Sequence, residues 1–289
     1  MISSINRNRI AKLKKEFEQL RIGKESLLTL LEEAELPESV YNSNAIENST
    51  LTLKETEQIL LEQEVGRKIS VRELFEAKNL ARVTQHLQNK PNIELNTENI
   101  LLLHRMLIGG INDEIAGRLR GRGEYVRVGT HIAPAPEHIE QLLENLLIDY
   151  KSADNVYPID RIAHFHLEFE RIHPFNDGNG RIGRVLLNLQ LKNFGYPPII
   201  IRNKGKSDYY YPAFVEYQQL RQTGRLENLV MLAVIESLNK RLAYLRGQNI
   251  VRLSEYAKTN KQSINALINA ARRQTIPAFR EKGIWKIGY

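Results

Sequence analysis

HPFNDGNGRIGR, residues 173–184, brings an imidazole, a carboxylate, amides, three glycines and two guanidiniums into twelve consecutive positions. Before it, Ile162, Phe165, Phe169 and Ile172 recur at helical spacing, with Asp160 as an N-cap after Pro158, so one helix is expected to run up to His173. Pro174 then blocks its continuation. After it, VLLNLQLKNFG (185–195) is apolar on nearly every side until Gly195 and the Pro197-Pro198 pair, as a core helix is. The loop 176–180 therefore feeds a helix N-terminus.

Such a terminus offers unpaired backbone N–H groups and partial positive charge, and Gly178 and Gly180 let the backbone approach a ligand closely. The fitting guest is a phosphate. Arg181 and Arg184, three apart, can both hold anionic oxygens at that end of the helix. Asp177 suits a divalent cation bridging phosphates, and His173 is the group there suited to taking a proton near neutral pH. A sharp corner between two helices would explain the His-Pro pair and the glycines, but not so many chemical residues at set spacing. A Walker-type phosphate loop is excluded, because GNGRIGR lacks the Lys-Ser/Thr end and follows a helix. A metal site on His166, Glu170 and His173 is also rejected: the spacing is not HExxH, and a metal would take the His173 lone pair.

The stretch resembles the Fic motif, HPFx[DE]GNGRxxR, at every fixed position. The resemblance implies a mostly α protein: a Fic-type helical core with a β-hairpin flap, here with a small C-terminal winged helix-turn-helix. It also implies transfer of AMP from ATP, with Mg²⁺, to a Ser, Thr or Tyr hydroxyl of a target protein. By the same resemblance His173 is the base and Asp177 the Mg²⁺ ligand. Gly178, Asn179 and Gly180 form the anion cradle, Arg181 holds the phosphates, Arg184 anchors the γ-phosphate, and Phe175 is a core plug. AMP removal, phosphoryl transfer, or nucleotide sensing by a DNA-binding regulator remain the alternatives.

Upstream, YNSNAIENST (41–50) carries Ser43 as the cap of a short helix with Glu47 one turn in. It resembles the inhibitory motif of many Fic proteins, [ST]xxxE[GN], at Ser43, Glu47 and Asn48. There the glutamate pairs with the second motif arginine, here Arg184, and so competes with the γ-phosphate. Pro37 is expected to end the helices before it, which span residues 7–35. Thr52 and Glu55 make a capping box for LKETEQILLEQ (53–63), and further helices are expected over 69–87, 97–107 and 137–150, with His104 a packed or half-exposed helix residue.

GRLRGRGEYVRVGTHIAPAP (117–136) alternates over Tyr125, Val126, Arg127 and Val128 between glycines and prolines, which reads as a hairpin or extended loop. It resembles the Fic flap, which pairs with the target segment through backbone. In KGKSDYYYPAFVEYQQL, Tyr209 or Tyr210 stacks on adenine by the resemblance, with core packing the alternative. The tail 250–289 reads as two short helices and a hairpin turned at Lys282-Gly283, a winged-helix outline. Lys261, Gln262, Ser263 and Asn265 would open a recognition helix, with Arg272 and Arg273 meeting DNA phosphates; protein docking is the alternative.

The domain expectation is thus an N-terminal helical region 1–95 with the inhibitory helix around 43–48, a core 96–245, and a module 250–289. Across 289 residues, 41 Lys+Arg against 34 Asp+Glu leave a net charge of +7, which suits ATP or nucleic acid as a partner. No cysteine means no disulfide and no zinc-thiolate site, in keeping with a cytoplasmic chain. The first twenty residues hold charges every few positions, so no secretory leader is expected, and no apolar run is long enough to cross a bilayer. No membrane partner is expected; a homodimer is left open.

Overall fold

Apolar residues at helical spacing dominate the chain, and in the computed structural model twelve α-helices form among the described residues, which are 1–62, 69–90, 92–129 and 131–289. Gln63, the last residue of one expected helix, and Thr130, inside the expected hairpin, lie outside the described residues. The helices are α1 (Ser4–Leu20), α2 (Glu25–Ile46), α3 (Leu53–Glu57), α4 (Val71–Asn89), α5 (Thr97–Ile108), α6 (Ile139–Ser152), α7 (Pro158–Ile172), α8 (Asn179–Asn193), α9 (Tyr211–Leu220), α10 (Gly224–Leu245), α11 (Leu253–Thr259) and α12 (Ile264–Arg272). The strands are β1 (Arg127–Val128), β2 (His131–Ile132), β3 (Ile250–Arg252), β4 (Ala278–Glu281) and β5 (Ile284–Gly288). The mostly helical class expected above is the one observed.

The chain divides into two units, one of residues 1–36, 196–199 and 228–289, the other of residues 37–195 and 200–227. In the second, α7 and α8 pack on each other across the motif loop, and α8 also meets α4 and α5. Their facing side chains, Ile162, Phe169, Ile182, Leu186, Leu187, Leu103 and Leu107, are at most 1% exposed. Each such side chain contributes roughly 1.5–3 kcal/mol by leaving water. α8 is buried almost all round, so its two arginines, 181 and 184, are drawn into the interior with it. β1 and β2 form an antiparallel hairpin pairing Arg127 with Ile132 and Val128 with His131.

Three local expectations are corrected. α2 does not stop at Pro37 but runs through it to Ile46. A proline inside a helix costs about 3 kcal/mol. Burial of Leu36, Val40 and Ile46, each 7% exposed or less, outweighs that cost. Ser43 consequently lies in the last turn of α2 and caps no helix start. The helix ends instead on Asn48, in the left-handed region at φ 67°, with Ser49 N bonded back to Asn44 O at 3.1 Å. Asp160 is not an N-cap either: α7 begins at Pro158, whose preset φ and missing N–H suit the first helical position, and Asp160 falls in the first turn. The capping box at Thr52 and Glu55 forms as read.

In the first unit, β3, β5 and β4 make an antiparallel sheet in that order, turned between β4 and β5 at Lys282 (φ 50°) and Gly283 (φ 77°). Leu253, Ala257, Leu267, Ala271, Ala278 and Ile287 close its core with α11 and α12. β3 had no signal in the sequence, being three residues whose strand character comes from pairing with β5. This sheet is joined to α10 by polar contacts: Glu236 accepts from Arg280 N and Nε at 3.1 and 3.0 Å, and Asn239 Nδ2 donates to Gln274 Oε1 at 3.0 Å. Lys240 Nζ pairs with Glu281 at 3.2 Å and with Glu35 at 2.9 Å. Among the described residues no helix is long and apolar enough to cross a membrane.

Candidate active site

His173 ends α7 in the left-handed region (φ 51°, ψ 62°), its N–H still bonded to Phe169 O at 2.9 Å, and Pro174 turns the chain away. Phe175 is wholly buried and stacks on His104 at 3.7 Å between ring centres. Asn179 closes the loop like a clasp: its Oδ1 accepts from Phe175 N at 2.9 Å and its Nδ2 donates to Phe175 O at 2.7 Å. Its side chain is therefore spent on the loop. Gly178 follows Asp177 at φ 81°, where an added Cβ would also crowd Ile108. The main chain then enters α8 with its first N–H groups free of helical partners.

His104 is more than a packing residue. Gly117 N donates to its Nδ1 at 3.0 Å, which leaves Nε2 as the donor to Asp177 O at 3.0 Å. Burial lowers its pKa to about 4, so this neutral tautomer persists. The Asp177 carboxylate accepts from Gly178 N at 2.6 Å and from Arg181 Nη2 at 3.1 Å, and pairs with Arg72 of α4. Burial works against its charge, but Arg181 and Arg72 outweigh it and hold its pKa below the ordinary carboxylate value. Arg181, 3% exposed, also pairs through Nη1 with Glu76 of α4 at 3.1 Å.

Arg184 faces the end of α2. Its Nε donates to Ser43 Oγ at 2.9 Å, and its Nη2 donates to Ser43 O at 2.8 Å and to Glu47 Oε1 at 2.9 Å. Burial would lower the guanidinium's pKa, but Glu47 raises it beyond the ordinary value. A Cβ on Gly180 would collide with the Glu47 carboxylate, so the glycine leaves room for that side chain. Asn48 Oδ1 accepts from Lys206 Nζ at 3.0 Å.

His173 Nδ1 lies 3.1 Å from Glu170 O, a carbonyl that only accepts, so Nδ1 carries the proton and Nε2 keeps its lone pair. Burial lowers the His173 pKa to about 4, which keeps that ring unprotonated at neutral pH. The buried Glu170 carboxyl behaves oppositely: burial, then the nearby Glu47 charge, push its pKa up to about 8.

These groups line one cleft of about 970 Å³. Glu47, Asn48, His173, Asp177 and the run 178–181 stand on its wall with Arg184, Tyr210, Val126, Arg127 and Val128. Three of the expected motif, inhibitory, flap and tyrosine residues do not: Tyr209 and Tyr125 are each 64% exposed and outside the cleft, and Ser43 holds Arg184 from the last turn of α2 without lining it. Tyr209 sits in a single wide turn before α9, which rotates it outward while Tyr210 turns in to bond His166 Nε2 at 2.8 Å. Tyr211, passed over in the sequence, takes a place on the wall and donates to Ile46 O at 2.6 Å. Lys261, Gln262, Ser263, Asn265, Arg272 and Arg273 are exposed on the first unit, and Ser263 N-caps α12. Arg72, Glu76, Glu170 and Lys206 were also missed. Only Glu170, one helical turn before His173, shared a face with the motif in the sequence.

The pattern of the Fic/DOC family matches residues 94–191. Among curated proteins, a protein adenylyltransferase Fic of Nematostella vectensis is 34% identical over 177 residues, 59% of this chain and 41% of that protein. A protein adenylyltransferase fic-1 of Caenorhabditis elegans is 33% identical over 177 residues, 59% of this chain and 34% of that protein. The chain thus spans about two fifths or less of these relatives' length. Among solved structures, a Fic domain containing signaling protein of Bacteroides thetaiotaomicron superposes with a TM-score of 0.73 at 26% identity, covering 83% of this chain and 97% of that one.

Proposed function

We propose that this chain, whose residues 94–191 match the Fic/DOC family pattern, transfers AMP from ATP in its cleft to a hydroxyl side chain of a target protein and is restrained by Glu47. The observation that carries this reading is the neutral His173, with Nε2 unprotonated, on the same wall as Arg181, Arg184 and the start of α8. Among the described residues Arg181 Nε is buried with no hydrogen-bond partner, as expected of a site built to take an anion.

In this mechanism the target hydroxyl oxygen attacks the α-phosphorus of ATP, its proton passes to His173 Nε2, and the bond to pyrophosphate breaks. The N–H groups at the start of α8, with Arg181 and Arg184, hold the phosphate oxygens. Tyr210 and Tyr211 border the place for the base, and the backbone of Val126 to Val128 pairs with the target segment. Asp177 is a single carboxylate beside the phosphate site, the donor set by which Mg²⁺ commonly accompanies a nucleotide, and the ion would neutralise phosphate charge there. Glu47 opposes all of this by engaging Arg184 and placing negative charge where the outermost phosphate belongs.

The test gives wild type, Glu47→Gly and Glu47→Gly/His173→Ala Mg²⁺ with α- or γ-labelled ATP, with and without cell lysate. Protein-bound α label that appears in the single variant and vanishes in the double one is the expected result. Label from the γ position alone would replace the reading by phosphoryl transfer, and label that persists without His173 would remove the base.

A further inference from the structure

The last carbonyls of a helix lack partners within it, and at the end of α7 the hairpin region supplies them. Arg171 O accepts from His131 Nε2 at 2.9 Å, Ile172 O from Arg120 Nη2 at 3.2 Å, and His173 O from Arg120 Nε at 2.7 Å. The same Arg120 guanidinium reaches the two chain segments that carry the hairpin, donating through Nη1 to Glu124 O at 3.1 Å and through Nη2 to Pro134 O at 2.6 Å. Its own N–H donates to Pro174 O at 2.9 Å.

Arg120 is 2% exposed, and these side-chain bonds all run to backbone carbonyls. The carboxylate whose charge acts on it, Glu124, is taken instead by Arg118, at 2.7 Å through each of two nitrogens. A charge buried to hold only main-chain oxygens is an expensive way to fill space, and it makes sense where several strands of chain must keep one geometry. One of those strands is His173 itself, whose left-handed backbone is disfavoured for any residue with a Cβ.

We infer that Arg120 is a positioning residue that couples the hairpin to the orientation of the His173 ring, with His131 as its lesser partner. It rests on the transfer reading above. A target segment laid along the hairpin pulls on Glu124 and Pro134, and through one rigid guanidinium fork it thereby sets the carbonyls of Ile172 and His173. Lysine, with a single ammonium, cannot span those oxygens in the same plane.

The experiment compares Arg120→Lys with its parent in a Glu47→Gly background. It reads the melting temperature, affinity for a non-hydrolysable ATP analogue, AMP transfer at saturating ATP, and the His173 ring titration by NMR. The groups acting on that titration are Glu170 on its own helix, Glu47, Arg120 and His131. The expected result is transfer lowered about 10- to 100-fold, analogue affinity within about two-fold and a displaced His173 titration. Full transfer with an unmoved titration overturns the inference, and so does a parallel loss of melting temperature and analogue affinity, which marks a merely structural role. If the parent transfers nothing, the transfer reading fails on its own, while an unmoved titration in Arg120→Lys still overturns the coupling. If Arg120→Lys does not fold, His131→Asn is read the same way, with about three-fold loss expected and no change in either readout overturning the inference.

Discussion

Glu47 Oε1 accepts a hydrogen bond from Arg184 Nη2 at 2.9 Å, although the two residues stand 137 positions apart in the chain. The carboxylate is 42% exposed while the guanidinium is 6% exposed, so water screens the acid more than the base. Losing the acid therefore frees the arginine without unravelling the core. Glu47→Gly is expected to raise AMP transfer by about ten-fold or more and to leave the melting temperature within a few degrees; Glu47→Gln, which keeps the shape and drops the charge, should fall between. An unchanged rate in both would remove the restraint assigned to Glu47.

The end of α2 that carries Glu47 is itself held. Lys206 Nζ donates to Ala45 O and Ile46 O at 2.9 Å each, Tyr211 adds a bond to Ile46 O, and Glu73 accepts from Thr50 N at 2.6 Å and Ser49 Oγ at 3.2 Å. A cation on the last carbonyls of a helix also suits its dipole. Lys206→Met should accelerate hydrogen exchange across residues 43–50 and raise transfer roughly two- to five-fold, less than Glu47→Gly. Slower or unchanged exchange there would mean that Ser43 and Arg184 suffice to hold the segment.

Glu170 carries a signature in pH. Unfolded, its carboxyl loses a proton near 4.5, whereas folded it does so only near 8. Between those values the folded chain holds the extra proton, and this group's contribution to stability falls as pH rises. The buried histidines act the other way: His104 and His173 fall to about 4 and His166 to about 3, so stability is lost as pH drops below the unfolded value of 6.5. Glu170→Gln, neutral at every pH, should melt about 5 °C above wild type at pH 8 and close to it at pH 4.5. A constant offset across that range would refute the assignment. The low His173 pKa likewise predicts transfer that is flat from pH 6 to 8 and falls only toward pH 4.

Removing residues 250–289 strips partners from α10. Glu236, Asn239 and Lys240, all 9% exposed or less, lose Arg280, Gln274 and Glu281. Lys240 keeps Glu35, but each bonded partner stripped from a buried polar group costs up to about 1–3 kcal/mol, so the truncated chain should melt at least about 5 °C lower or accumulate as aggregate. A truncation with wild-type melting would show that the tail is held more loosely than these contacts require.

What was legible in advance was local. The capping box at Thr52 and Glu55, the turn at Lys282-Gly283 and the motif loop each sit within a few residues, where backbone sterics and neighbouring side chains decide the outcome. Pro37 misled because its penalty is local while the burial that overrides it comes from the rest of the fold. Tyr209 misled because one wide turn rotates three adjacent tyrosines onto different sides, and only packing around Tyr210 selects which faces in.

From the twelve residues 173–184 alone follow the helix-loop-helix, a helix start with open N–H groups and an imidazole placed beside it, since their spacing admits few other conformations. Tertiary structure decided the rest. It brought Arg72 and Glu76 to the motif from α4, Glu47 from α2 and Arg120 from the hairpin region, and it set the protonation of His104, Glu170 and His173 by burying them. A charge's partner and its solvation both depend on which distant segments the core draws together, and no short window of sequence contains that information.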